Sequence, residues 1–97
     1  FKRPRNYHLA ETAQSGVFMF KKISTHSAAV LSLCKLTDTT FASSSGDNTI
    51  IISTTEGLSL QTFHEHTNWV WQVIKLGETI LATASEDCTI KVWNVKL

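Results

Sequence analysis

Residues 26–54 and 66–94 of this chain are two versions of one segment, offset by 40 positions without a gap. Ten of the 29 aligned positions are identical: His26/His66, Val30/Val70, Lys35/Lys75, Leu36/Leu76, Thr39/Thr79, Ala42/Ala82, Ser45/Ser85, Asp47/Asp87, Thr49/Thr89 and Ile50/Ile90. Six more pair similar side chains: Ser27/Thr67, Leu33/Val73, Asp38/Glu78, Phe41/Leu81, Ser43/Thr83 and Ile52/Val92. A tandem unit of this length is too small to enclose a core. It must bury its apolar faces against its neighbours, so the chain is constrained to a stacked array.

Each copy reads as short strands divided by turns. Val30 to Leu36 and Val70 to Leu76 are apolar and rich in strand formers. Thr37-Asp38-Thr39 and Gly77-Glu78-Thr79 break them, and Phe41 to Ser45 and Ile80 to Ser85 follow. Ser45-Gly46-Asp47-Asn48-Thr49 and Ser85-Glu86-Asp87-Cys88-Thr89 have tight-turn composition. Ile50 to Ser53 and Ile90 to Trp93 come next, and Glu56-Gly57 turns the first copy into Leu58 to Phe63. The single proline is Pro4, outside these segments, and no stretch shows a capped helical period.

Four short strands in about 40 residues is the blade signature of WD40 propellers. The second copy, from His66 through Leu81-Ala82-Thr83-Ala84-Ser85-Glu86-Asp87-Cys88-Thr89-Ile90-Lys91-Val92-Trp93-Asn94, resembles a WD40 repeat closely. The first, with Ala42-Ser43-Ser44-Ser45-Gly46-Asp47-Asn48-Thr49-Ile50, resembles one more loosely, and the resemblance covers residues 17 to 97. Two motifs depart from the family. Its Trp-Asp pair is here Trp93-Asn94 and Ser53-Thr54, and its Gly-His is Glu65-His66 and Thr25-His26.

The resemblance implies an all-β fold, a partial β-propeller of about two four-stranded antiparallel blades. It also implies a buried hydrogen-bonded set within each blade. Carried over by position, the set is His66, Thr83, Asp87 and Trp93 in the second copy, with Ser85 as the alternative hydroxyl. In the first copy it is His26, Ser43, Asp47 and Ser53, with no tryptophan, so that blade is expected to be looser. The chemistry is coherent, because an indole N–H only donates and a hydroxyl can relay between it and an imidazole.

Other residues offer little chemistry. His64-Glu65-His66 supplies two histidines, fewer than zinc requires, so no metal and no cofactor is expected. Cys88 has no adjacent His or Lys to activate it, and Cys34 lies in an apolar strand. Both read as free thiols, which points to an intracellular, cytoplasmic or nuclear, protein. Asp38, Glu78 and Glu86 read as solvated turn acids. No Gly-rich phosphate loop or nucleophile elbow occurs, so the chain is not expected to be an enzyme. Trp69 and Trp71 differ: Trp71 stands where the first copy has Leu31, and an exposed tryptophan is a candidate interaction residue.

Three regions follow. Residues 1–16 are a basic arm or linker, in which Lys2-Arg3-Pro4-Arg5 reads as a solvated cluster sooner than as an import signal. A strand is expected over 17–23, because the 40-residue offset places it on Gly57 to Phe63; repeats at 26–63 and 66–97 complete the chain. Residues 1–25 carry five basic side chains against Glu11, and the remainder carries four lysines against seven acids. Neither imbalance argues for nucleic acid, and no apolar run is long enough for a membrane helix. The expected function is an interaction scaffold for protein partners, as a piece of a longer propeller whose further blades come from the parent chain or from other copies. The alternative is a regulatory or sensor module fused to a signalling or enzymatic domain.

Overall fold

The computed structural model describes residues 16–96. Seven strands succeed one another: β1 (Val30–Lys35), β2 (Thr40–Ser45), β3 (Ile50–Thr54), β4 (Ser59–Phe63), β5 (Val70–Lys75), β6 (Ile80–Ser85) and β7 (Ile90–Asn94). They form two antiparallel sheets, one in the order β1-β2-β3-β4 and one in the order β5-β6-β7. No helix long and apolar enough to cross a membrane is present among the described residues. The chain is therefore all-β, with one complete blade and one blade of three strands.

The repeat persists in the register. Val30 faces Ser45 and Val70 faces Ser85; Leu33 faces Ser43 and Val73 faces Thr83. Both inner pairs shift register at the same place, between Val30 and Ser32 and between Val70 and Gln72. The turns between the second and third strands match too. Asn48 and Cys88 both sit at left-handed φ, 75° and 73°, and their N–H groups donate to Ser45 O and Ser85 O. Between β3 and β4 the left-handed position is held by Gly57 at φ 98°, where an added Cβ would also come within 3.2 Å of Lys21 Cε.

The core lies between the blades. Ala42, Ile50 and Ile52 on one face of the first blade meet Val70, Val73 and Leu81 of the second, with Leu36, Val95 and the partly buried Cys34, Phe63 and Trp93 around them. Strand β5 lies on β1 and β2, as expected for the innermost strand of an adjacent blade. Polar contacts cross the same seam: the Lys75 ammonium donates to Leu36 O at 3.0 Å, and the Val73 N–H to Ser32 Oγ at 3.4 Å. Ser44 Oγ is buried on this face without a hydrogen-bond partner among the described residues.

Comparing equivalent positions shows what stacking does. Ile50 and Ile52 are fully buried, whereas their counterparts Ile90 and Val92 are 74% and 65% exposed. Only the first pair has a blade in front of it. On the opposite side, Val70 and Val73 are buried while Val30 and Leu33 are 53% and 66% exposed. Each outer face of the pair thus exposes apolar side chains.

The expected strand over 17–23 does not form. Residues 17–26 join no ladder, and Val17, Phe18, Met19 and Phe20 are exposed. A strand exists through its hydrogen-bonded partner. Each sheet ends in a strand paired on one side only, β4 in the first blade and β7 in the second, and residues 17–26 pair with neither, while Lys21 and Ile23 lie near Gly57 in the turn between β3 and β4. Residues 1–15 of the expected basic arm over 1–16, with the Lys2-Arg3-Pro4-Arg5 cluster, lie outside the described residues.

Candidate functional site

The two blades each contain a hydrogen-bonded chain that ties the segment before the first strand to the turn after the second. In the second blade, the His66 ring places Nδ1 2.8 Å from Asp87 Oδ2 and Nε2 2.7 Å from Thr83 Oγ. The Trp93 indole N–H donates to the same Thr83 oxygen at 2.9 Å. The donor inventory orders the chain for a neutral ring: the indole donates to the hydroxyl, the hydroxyl to Nε2, and Nδ1–H to the carboxylate. Trp93 also stacks on Phe63, with ring centroids 4.8 Å apart and planes inclined by 18°, and meets the His66 ring at an edge.

The first blade repeats the chain without its aromatic end. His26 Nδ1 lies 3.0 Å from Asp47 Oδ2, and Nε2 lies 2.7 Å from Ser43 Oγ. Ser53 occupies the tryptophan position but does not join the set. Its hydroxyl is buried and has no hydrogen-bond partner among the described residues, because a serine is too short to span the distance an indole bridges. Ser85 likewise stays out of the histidine chain. It accepts the Asp87 N–H at 3.0 Å and donates to Trp69 O at 2.8 Å, fastening the turn instead.

Thr49 and Thr89 belong to the set as well. Each hydroxyl donates to its aspartate at 2.5 Å, and each backbone N–H donates to the same oxygen. Their identity across the repeat was the available signal. For Asp47, burial works to raise the carboxyl, but the Thr49 hydroxyl, the Ser27 N–H and His26 outweigh it and hold the group well below the usual carboxylate range. For Asp87 the Thr89 hydroxyl has the largest effect. Desolvation opposes it, and His66 and the Thr67 N–H add to the lowering.

An aspartate, a histidine and a hydroxyl in line have the connectivity of a hydrolase triad. Here the hydroxyls are inside the blades: Ser43 and Thr83 are buried. A nucleophile must reach a substrate, and these do not, so the chain of bonds serves to fix turn, loop and strand relative to one another. The Cys34 thiol is pushed up by burial, with Lys75 opposing, which removes it as a ready nucleophile. No group of three or more potential metal ligands is assembled among the described residues.

Trp69 and Trp71 lie elsewhere, on the rim where β5 begins. They are 48% and 45% exposed and meet edge to face, centroids 5.3 Å apart at 73°. The Trp71 indole N–H donates to Glu86 Oε1 at 2.8 Å, so Glu86 has a structural partner that its reading as a solvated turn acid missed. Asn68, Trp69, Trp71 and Glu86 together line a shallow recess. Trp69 also leans over the first blade, closing a second recess with Ala28, Ala29, Leu31 and Gly46.

Comparison with known proteins agrees with this architecture. The family described as "WD domain, G-beta repeat" matches twice, over residues 19–52 and 57–94. The chain belongs to the WD40 repeat family. A curated relative of these WD40 repeats is the ubiquitin homeostasis protein lub1 of Schizosaccharomyces pombe (strain 972), 34% identical over 83 residues. The match covers 84% of this chain and 11% of that protein, so the chain spans a small part of its relative. Among solved structures, the crystal structure of the computationally designed Ika4 protein superposes with a TM-score of 0.65 at 21% identity. It covers 76% of this chain and 46% of the designed one, and it speaks to the WD40 fold alone.

Proposed function

We propose that these WD40 blades are part of a scaffold that binds a protein partner at the rim where β5 begins. The observation that carries this reading is the pair of half-exposed tryptophans, Trp69 and Trp71, set on a framework fixed by the His66 and His26 chains. Large aromatics held rigid at a surface offer contact area at little cost in side-chain entropy, and tryptophan is the residue most enriched at binding hot spots. The buried hydroxyls of the histidine chains argue against a hydrolytic role for the same residues. The unpaired Cys34 and Cys88 thiols support a reducing, intracellular setting.

The test is partner capture by the full chain carrying Trp69→Ala and Trp71→Leu, the residues the first blade holds at these positions. We expect loss of the captured partner with an unchanged melt. Capture at the wild-type level would overturn the reading. Because lub1 is named for ubiquitin homeostasis, ubiquitin is the first protein to try in the same assay.

A further inference from the structure

The two blades are an internal control for each other. At four equivalent rim positions the first blade has Ala28, Ala29, Leu31 and Gly46, and the second has Asn68, Trp69, Trp71 and Glu86. The backbone pattern around both sets is the same: the N–H of Gly46 donates to Ala29 O, and the N–H of Glu86 donates to Trp69 O, each at 2.9 Å. Building a blade therefore does not require two tryptophans and a carboxylate there.

We propose that this recess receives the guanidinium of an arginine side chain presented by a protein partner, which deepens and rests on the protein-binding reading above. Three features converge on that chemistry. Two indole rings at 73° offer both a face and an edge, and the face of an indole attracts cations. Glu86 stands at the same recess with one oxygen holding the Trp71 indole in place. Its other oxygen remains to accept from a ligand, and among the described residues no cation pairs with it. A guanidinium is planar enough to stack on an indole while its fork of N–H groups reaches a carboxylate in the same plane, which an ammonium cannot do.

The experiment titrates Nα-acetyl-arginine N-methylamide into the full chain and follows the three tryptophan indole N–H resonances, assigned from single substitutions. The Trp69 and Trp71 resonances should move, with Trp93 still, and half-saturation should fall near 10 mM, on the order expected for one contact group. The citrulline analogue, equal in shape but uncharged, should bind about fivefold more weakly, and Glu86→Gln should weaken arginine by a similar factor. Equal responses to arginine and citrulline would overturn the proposal, as would an arginine response unaffected by Glu86→Gln. Loss of partner capture in the tryptophan variants would still uphold the scaffold reading in either case, so the two failures are distinguishable.

Discussion

Replacing Trp93 with alanine tests the hydrogen-bonded set of the second blade. The side chain is partly buried, donates to Thr83, and stacks on Phe63. Truncating a fully buried aromatic costs about 3–5 kcal/mol, and partial exposure places Trp93 toward the lower end. Within that figure, the lost hydrogen bond accounts for about 1 kcal/mol and the stacking for about 0.5–1.5 kcal/mol. We expect Trp93→Ala to lose about 3 kcal/mol in all. Trp93→Phe keeps an aromatic ring for the stack while removing the donor and part of the packed ring system, and should lose about 1–2 kcal/mol. Trp71→Ala removes an exposed ring and one exposed hydrogen bond, and should lose less than about 1 kcal/mol. Urea denaturation followed by far-ultraviolet circular dichroism, at one fixed chain concentration, measures all three. Equal losses for Trp93→Ala and Trp71→Ala would refute the assignment of Trp93 as the anchor.

Three further outcomes follow from the geometry. Cys88 adopts φ 73° at the turn position where the first blade places Asn48. Since a left-handed residue other than Gly or Asn is strained, Cys88→Asn should raise stability by about 0.5–1 kcal/mol, and a loss in the same urea titration would contradict this. The carboxyls of Asp47 and Asp87 are held below their unfolded value, so their contribution is complete above about pH 4 and is lost as the pH falls from there toward the folded values. Thermal melts below pH 4 should therefore decline less steeply in Asp47→Asn or Asp87→Asn than in the parent, and parallel slopes would exclude these groups as the cause. The 97-residue chain, with Ile90 and Val92 exposed on one side and Val30 and Leu33 on the other, should sediment as species larger than a monomer; a monomer with a cooperative melt would refute this.

The strands were legible because the repeat superimposes turn on turn. Gly46-Asp47-Asn48 and Glu86-Asp87-Cys88 mark the same corner, and the segments around them have nowhere to be but paired. The contacts of His66, Thr83, Asp87 and Trp93 follow from positions that the family resemblance supplies. Position alone could not tell that Ser53 drops out, because reach is a matter of side-chain length across a fixed gap. Nor could it give Glu86 its role: the Trp71 bond to Glu86 joins residues 15 positions apart, one on β5 and one in the turn after β6, and nothing local in the sequence announces it. The strand expected over 17–23 was inferred by analogy with β4, but pairing depends on which edge is within reach, and a linear offset does not carry that information.

The two open sides of this pair are unlike each other: Val30 and Leu33 belong to the first strand of the first blade, whereas Ile90 and Val92 belong to the third strand of the second. The contact between the blades joins two unlike faces in one sense only, β5 of the second blade lying on β1 and β2 of the first. An assembly that reuses this contact therefore has a direction, like bricks with studs on one side and sockets on the other. A mirror-matched dimer, in which two copies meet through the same patch, would have to bring like against like and could not reproduce it. Head-to-tail addition repeats it at every step, and such growth ends only when the turn between successive units brings the last socket back to the first stud. The angle between neighbouring sheets, and not the strength of their contact, thus sets how many units a finished assembly holds.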